Sequence, residues 1–471
     1  MHDPRSLESG MAAGGSSAAA RDAREPVMAP ATTHARRPRR SAVAPLAMLL
    51  GVGLTLALVS CAGPPPDVDD PFGSQRVVDI ISSTDPPTGP VDVGGLITIE
   101  WVGTGTVVGE APDEFDDVDD DPADPGDPST EAPLEDTEWH ELAFHVFNPE
   151  TGNEFLLTFD PDLLQGVFEH QAALGLTDAT HEIDDPAAFE SPPVPQGWSN
   201  GTDDRLMRTA TTSWPWRAIA QHGSGDSGCT STLIGPRHLI TAAHCINRRG
   251  TSDWYTVRVD PGRNGIDESP FGSSTISTNP PPGTTAWYFT PAAWRTEWCS
   301  NNVSACIQWD WGMIVVPDRI GDLTGWMGYW VANYAHLSNQ THYNRGYPKC
   351  DTTSPSRPSV CDSSVGGDEQ FYWARLFGDI SSCTLGGVLH PGPDGWNRTI
   401  RHSCDTSGGH SGSALYHYRQ RPSGAWVPVV TMVHGNTTCQ TCSPAVDFPN
   451  RARRITPSDL GVISWLRATF Q

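Results

Sequence analysis

Three short stretches of the chain carry the side chains that acyl transfer needs. His244 lies near the end of Leu239-Ile240-Thr241-Ala242-Ala243-His244-Cys245, and Asp310 stands at the mouth of an apolar run that ends at Val316. Ser411 sits among small residues in Gly408-Gly409-His410-Ser411-Gly412-Ser413. A serine hydroxyl is a poor nucleophile until a base takes its proton, and an imidazole base needs one fixed tautomer, which a buried carboxylate enforces. The tetrahedral oxyanion needs two N–H donors, and the backbone of Gly409 and Ser411 is placed to supply them. Loss of one such donor typically costs about 3–4 kcal/mol of transition-state stabilisation. Each string alone is weak: a Gly-x-Ser-Gly turn arises by chance, and a histidine can simply fill a core. Asp253, Asp260 and Asp267 rival Asp310 as the orienting acid. The constellation carries the weight, with base, acid and nucleophile in that chain order.

These groups need a scaffold that converges. The run from Cys229 and the run from Leu239 read as two apolar strands joined by the Gly235-Pro236 turn, which sets His244 just past a strand end. A Cys229–Cys245 bridge would staple that histidine to the neighbouring strand. Beyond residue 200, many short apolar runs alternate with Gly, Pro, Asn and Ser clusters, the pattern of an all-β barrel or sandwich domain. Thr456-Pro457-Ser458-Asp459 is a capping-box start for a single closing helix. Ten of the eleven cysteines fall between residues 229 and 442, which points to disulfides and an oxidising compartment. A zinc site would need paired ligands, and only Cys439 and Cys442 have that local spacing. No motif calls for a cofactor.

The net charge of −26 is unevenly spread. Residues 64–200 hold 32 Asp and Glu against the single cation Arg76, whereas residues 201–471 carry a net charge of +2. A near-neutral domain therefore follows a strongly acidic leader. The densest basic cluster, Arg36 to Arg40, precedes the apolar run 42–62, an export pattern that disfavours a nucleic-acid partner. That run ends Leu58-Val59-Ser60-Cys61, which resembles a bacterial lipobox with Cys61 as the lipidated residue; an uncleaved anchor and an ordinary signal peptide are the alternatives. All three export the rest of the chain, with membrane contact only through this N-terminal lipid or anchor. Residues 1–62 are thus read as the export signal, and 63–136 as an acidic, Pro-rich, partly disordered linker with one strand near 95–102. Residues 137–198 are read as a small pro-domain, with a hairpin from Leu142–Phe147 and Phe155–Phe159, and 199–471 as the catalytic domain.

The Thr-Ala-Ala-His-Cys and Gly-His-Ser-Gly strings resemble the trypsin-like serine proteases. Thr406 to Ser413, together with Asp203-Asp204-Arg205 and Ser213-Trp-Pro-Trp-Arg-Ala-Ile219, are more similar to the bacterial glutamyl endopeptidases. The resemblance covers about 200–471 and implies two six-stranded β-barrels with the site in the cleft between them, acting on protein or peptide substrates. It also implies that trypsins hold an aspartate at position 410 to pair with a new N-terminal amine; His410 cannot make that pair. Asp405 stands where trypsins bind Arg or Lys, whereas the glutamyl group reads a substrate carboxylate through a histidine and a hydroxyl, here His434 and Thr406. Glutamate preference, basic preference and a silent, protease-like binding protein are the functional alternatives. The acidic pro-region is a candidate inhibitor or folding aid, and the bond after Glu190 a candidate self-processing site.

Overall fold

Short β-branched and aromatic runs punctuated by Gly and Pro make strands almost throughout. The computed structural model describes residues 74–111, 142–173, 205–223, 228–349, 374–379, 382–421, 423–437, 448 and 450–471. The export signal with Cys61, residues 112–136 of the acidic linker, Glu190 and the Cys439–Cys442 pair lie outside the described residues.

The N-terminal part contains helix α1 (Ser74–Ile81), strands β1 (Val91–Val93), β2 (Ile97–Thr104), β3 (Thr106–Val108), β4 (Leu142–Phe147) and β5 (Asn153–Phe159), and helix α2 (Pro161–Ala173). The β4–β5 hairpin expected from the sequence is present, turning through Asn148, whose side chain accepts from the Glu150 amide. Residues 74–81 differ from the disordered spacer expected there. Val77 and Ile81, one helical turn apart, are fully buried, and that burial outweighs the Pro- and Asp-rich context.

The first half of the catalytic part comprises β7 (Ile219–His222), β8 (Cys229–Leu233), β9 (His238–Thr241), β11 (Val257–Pro261), β12 (Ser274–Ile276), β13 (Trp287–Pro291) and β14 (Gly312–Val315), preceded by β6 (Arg205–Arg208) and interrupted by β10 (Asp253–Tyr255). Except for β6 and β10, these strands lie in one sheet of order β1-β2-β5-β4-β13-β14-β9-β8-β7-β11-β12, so β1, β2, β4 and β5 extend it directly. The second half is a seven-stranded sheet: β15 (Gly328–Tyr329) pairs with β21, beside the order β16 (Tyr343–Asn344), β20 (Ala414–Gln420), β21 (Trp426–Thr437), β22 (Asn450–Arg454), β19 (Asn397–His402), β18 (Leu385–Pro391). Strand β17 (Leu376–Asp379) pairs with β6. The all-β, two-half architecture is as expected. Among the described residues, seven catalytic strands join the first sheet and a parallel β15 joins the second.

Helix α3 (Pro457–Thr469) closes the chain. Thr456 Oγ1 accepts from the Asp459 amide while the Asp459 carboxylate accepts from the Thr456 amide, the reciprocal cap that the sequence suggested.

Candidate active site

Strand β9 runs through Thr241 into a single 3-10 turn, Ala243–Cys245, that carries His244. The Cys245 sulfur is bonded to Cys229 on β8. Asp310 ends another 3-10 turn, just before β14, and β14 pairs with β9 in the register Gly312 to Thr241. The two turns therefore emerge side by side. Asp310 is fully buried and grips the histidine twice: Oδ2 lies 2.8 Å from Nδ1, and Oδ1 accepts from the His244 amide at 3.0 Å. A carboxylate that accepts at Nδ1 leaves the proton on that nitrogen and Nε2 as the acceptor. Two of the rival acids are engaged elsewhere, and the third, Asp267, is exposed. Asp260 is held by Arg258 and Arg263, and Asp253 faces Arg248.

Ser411 is half-buried on the turn before β20. Its carbonyl accepts from the amide of Thr230, the residue after the disulfide-bonded Cys229, at 2.7 Å. Gly412 lies against the strand that leads to the histidine, for a Cβ there would meet Thr241 Oγ1 at 2.1 Å and the Ala242 amide nitrogen at 2.9 Å. Gly409 has φ +90°, and a Cβ there would fall 2.3 Å from the Tyr347 carbonyl. Only glycine fits that position. The turn's own backbone bonds are donated by His410, Gly412 and Ser413.

His410 points away from this surface into the protein. Burial and the neighbouring Arg205 guanidinium hold its pKa well below the usual histidine value. Arg205, on β6, donates to Ser407 Oγ at 2.6 Å and lies 3.5 Å from His410 Nδ1. A cationic side chain thus faces a neutral histidine directly before the serine. In the sequence Arg205 stands only within the Asp203-Asp204-Arg205 string, where nothing marks it for a role.

His434 lies on β21 across from the nucleophile turn: its amide donates to Ser413 and its carbonyl accepts from Gly412, each at 2.8 Å. The β21–β22 register slips between His434 and Asn436. The slip falls at Gly435, where a Cβ would meet Asp310 Oδ2 at 2.9 Å, so the chain passes tightly behind the acid. His434 Nδ1 is 3.2 Å from His402 Nε2, and burial, followed by the nearby His244, pulls the His434 pKa down to about 3. His402, on β19, is a residue the sequence reading missed; nothing in its local spacing distinguishes it. Thr406 donates to Asn450 Oδ1 at 2.8 Å, and the Asp405 amide donates to the Asp379 carboxylate. Thr406, His402 and His434 are thus linked through β19, β21 and β22, with Asp405 at their edge.

A family model described as Trypsin matches residues 206–269, the segment that includes His244. The chain is 28% identical over 296 residues to a glutamyl endopeptidase of Bacillus licheniformis, covering 61% of this chain and 78% of that protein. It is 31% identical over 159 residues to a Bacillus subtilis protein named an extracellular metalloprotease, covering 32% of this chain and 45% of that one. Among solved structures, a Glu endopeptidase in complex with MPD matches with a TM-score of 0.39 at 20% identity, over 57% of this chain and 98% of that one.

Proposed function

We propose that this chain, a trypsin-like serine endopeptidase, uses Ser411 as nucleophile, His244 as general base and Asp310 as the carboxylate that orients it, and cuts after glutamate. His244 Nε2 takes the Ser411 proton as Oγ attacks the peptide carbonyl, then gives that proton to the leaving amine; water repeats the sequence on the acyl-enzyme. Asp310 keeps Nδ1 protonated and stabilises the imidazolium as it forms. The Gly409 and Ser411 amides, spared by the turn's own bonding, are the oxyanion donors.

The observation that carries this reading is the two-point contact between His244 and a fully buried Asp310. The Cys229–Cys245 bridge and the Thr230–Ser411 bond link that pair to the serine. Glutamate preference is supported by His434, whose backbone pairs with the nucleophile turn and whose Nδ1 meets His402. If His402 donates to Nδ1, the His434 Nε2 proton can meet a substrate carboxylate, and the Thr406 hydroxyl would join it by turning from Asn450. Three disulfides among the described residues, Cys229–Cys245, Cys299–Cys306 and Cys383–Cys404, support maturation outside the reducing cytosol. Lipidation at Cys61 and processing after Glu190 stay with this proposal as its export and maturation steps.

Two measurements on the full chain test it. A fluorophosphonate should label the protein at Ser411 and leave Ser411→Ala unlabelled. On a peptide library, cleavage should concentrate after Glu, and His434→Ala should lower kcat/KM for Glu substrates about 100-fold or more, as expected when a site built to hydrogen-bond its substrate loses the donor. Cleavage after Arg or Lys that disappears in Asp405→Ala would replace the glutamate reading with the basic one.

A further inference from the structure

The catalytic sheet is not complete without the N-terminal part of the chain. Strand β13 has β14 on one side and β4 on the other, paired antiparallel from Tyr288 with Phe147 to Pro291 with Phe144. Without β4, that row of backbone donors and acceptors would face water beside the buried Trp287, Tyr288 and Phe289. A second ladder joins β3 to β10 in parallel, and Phe147 stacks on Trp254 of β10 at 5.3 Å.

The helices close the same contact from another side. Leu163, Leu164 and Val167 of α2 are buried, and a Cβ on Gly461 of α3 would meet the Leu164 carbonyl at 2.9 Å, so the two helices touch backbone to backbone. Phe159 lies edge-on to Trp465 at 5.1 Å, and Phe144 edge-on to Trp311, the residue after Asp310, at 5.4 Å. These side chains belong to one continuous buried cluster that spans both parts. Charge is shared as well. Arg295, whose pKa burial lowers to about 10, is ion-paired with the buried Glu154 of β5, which also meets His145 Nδ1 at 2.8 Å. Removing the N-terminal part would break this shielded ion pair and leave Arg295 without its carboxylate.

We propose that residues 74–173 are a permanent structural subunit of the enzyme, held without covalent help after any cut between residues 174 and 204, rather than a propeptide that leaves. Residues 64–228 contain no cysteine, so no disulfide rooted in that stretch can tether it. Its main contacts fall on β13, β10, the turn Ala292–Arg295 and α3, none of which carries His244, Asp310 or Ser411. The subunit therefore braces the first sheet of the catalytic part through elements other than those that carry these three residues.

The test uses the full chain with a site for a sequence-specific protease inserted between Thr177 and Asp178. After complete cutting, the two fragments should run as one species in gel filtration, with no shift in elution volume, and should part only in denaturant. Release of the N-terminal fragment, or precipitation of either fragment after the cut, overturns the inference. A second form carries Phe144→Asp and Val146→Asp on β4. Once cut, it should separate into two species or fall out of solution. Co-elution as firm as that of the unsubstituted protein would show that the β4–β13 surface is not what holds the parts together. Elution alone decides the matter, whatever the outcome of the active-site labelling.

Discussion

Asp310 does two jobs with two oxygens, and the difference between them can be measured. Oδ1 accepts the His244 amide and so fixes the backbone, while Oδ2 meets the ring nitrogen and so fixes the tautomer. Asparagine at 310 keeps one carbonyl oxygen for the backbone amide and turns its NH2 toward Nδ1. That NH2 can only donate, so the imidazole must move its proton to Nε2, the nitrogen that accepts from serine in the proposed reaction. Asp310→Asn should therefore lower kcat by about 10⁴-fold with KM nearly unchanged, since the defect lies in the chemical step. Steady-state kinetics on a peptide substrate reads this. A thermal melt within a few degrees of the unsubstituted protein separates lost chemistry from lost fold. A comparable fall in stability and activity would mean that the carboxylate is chiefly a packing group.

The elements that deliver these residues were legible in uneven measure. The β4–β5 hairpin and the Thr456–Asp459 cap were readable because both are local, written in strand-type residues around a turn and in a four-residue box. The pairing of β4 with β13 was not, since it joins positions about 140 residues apart and nothing near either strand encodes its partner. Helix α1 was missed because its two buried residues are few and its flanks are polar. Near the candidate site, His244, Asp310 and Ser411 stood out through their strings, whereas His402 and Arg205 matter only through what the fold sets beside them. The Cys229–Cys245 bridge belongs to this scale because it ties β8 to the turn bearing His244, closing a loop with a sequence separation of 16. In the chain-entropy account, a loop of that size contributes about 3 kcal/mol. Replacing both cysteines by serine should lower the unfolding free energy in urea by about that amount. It should also reduce kcat, because the link from His244 through Cys229 and Thr230 to Ser411 is lost. A double variant as stable and active as the parent would make the bridge dispensable.

Across the whole molecule, the acid response should be set by histidines buried in neutral form. Burial is the first cause in each case: it holds His222, His238 and His434 at about 3, His342 and His390 at about 4, and His417 at about 2, against an ordinary value of 6.5. Below 6.5 the unfolded chain takes up protons at these rings while the native protein does not. Protonation then favours unfolding, so the stabilisation is fully present above pH 6.5 and is lost progressively as the pH falls toward 3. Each ring contributes at most about 1.4 kcal/mol per pH unit in that window, and several act together. The urea midpoint should therefore hold steady between pH 8 and 7, then fall steeply from about pH 6, well before the carboxylates titrate. His145 adds to the same slope at the subunit contact, where burial first and Arg295 second pull it to about 3, so the brace should loosen along with the catalytic halves. Equilibrium urea unfolding at half-unit pH steps measures the effect. A midpoint that stays flat down to pH 5 would mean that these rings are either exposed to solvent or charged in the native protein, and would remove the link between their burial and acid stability.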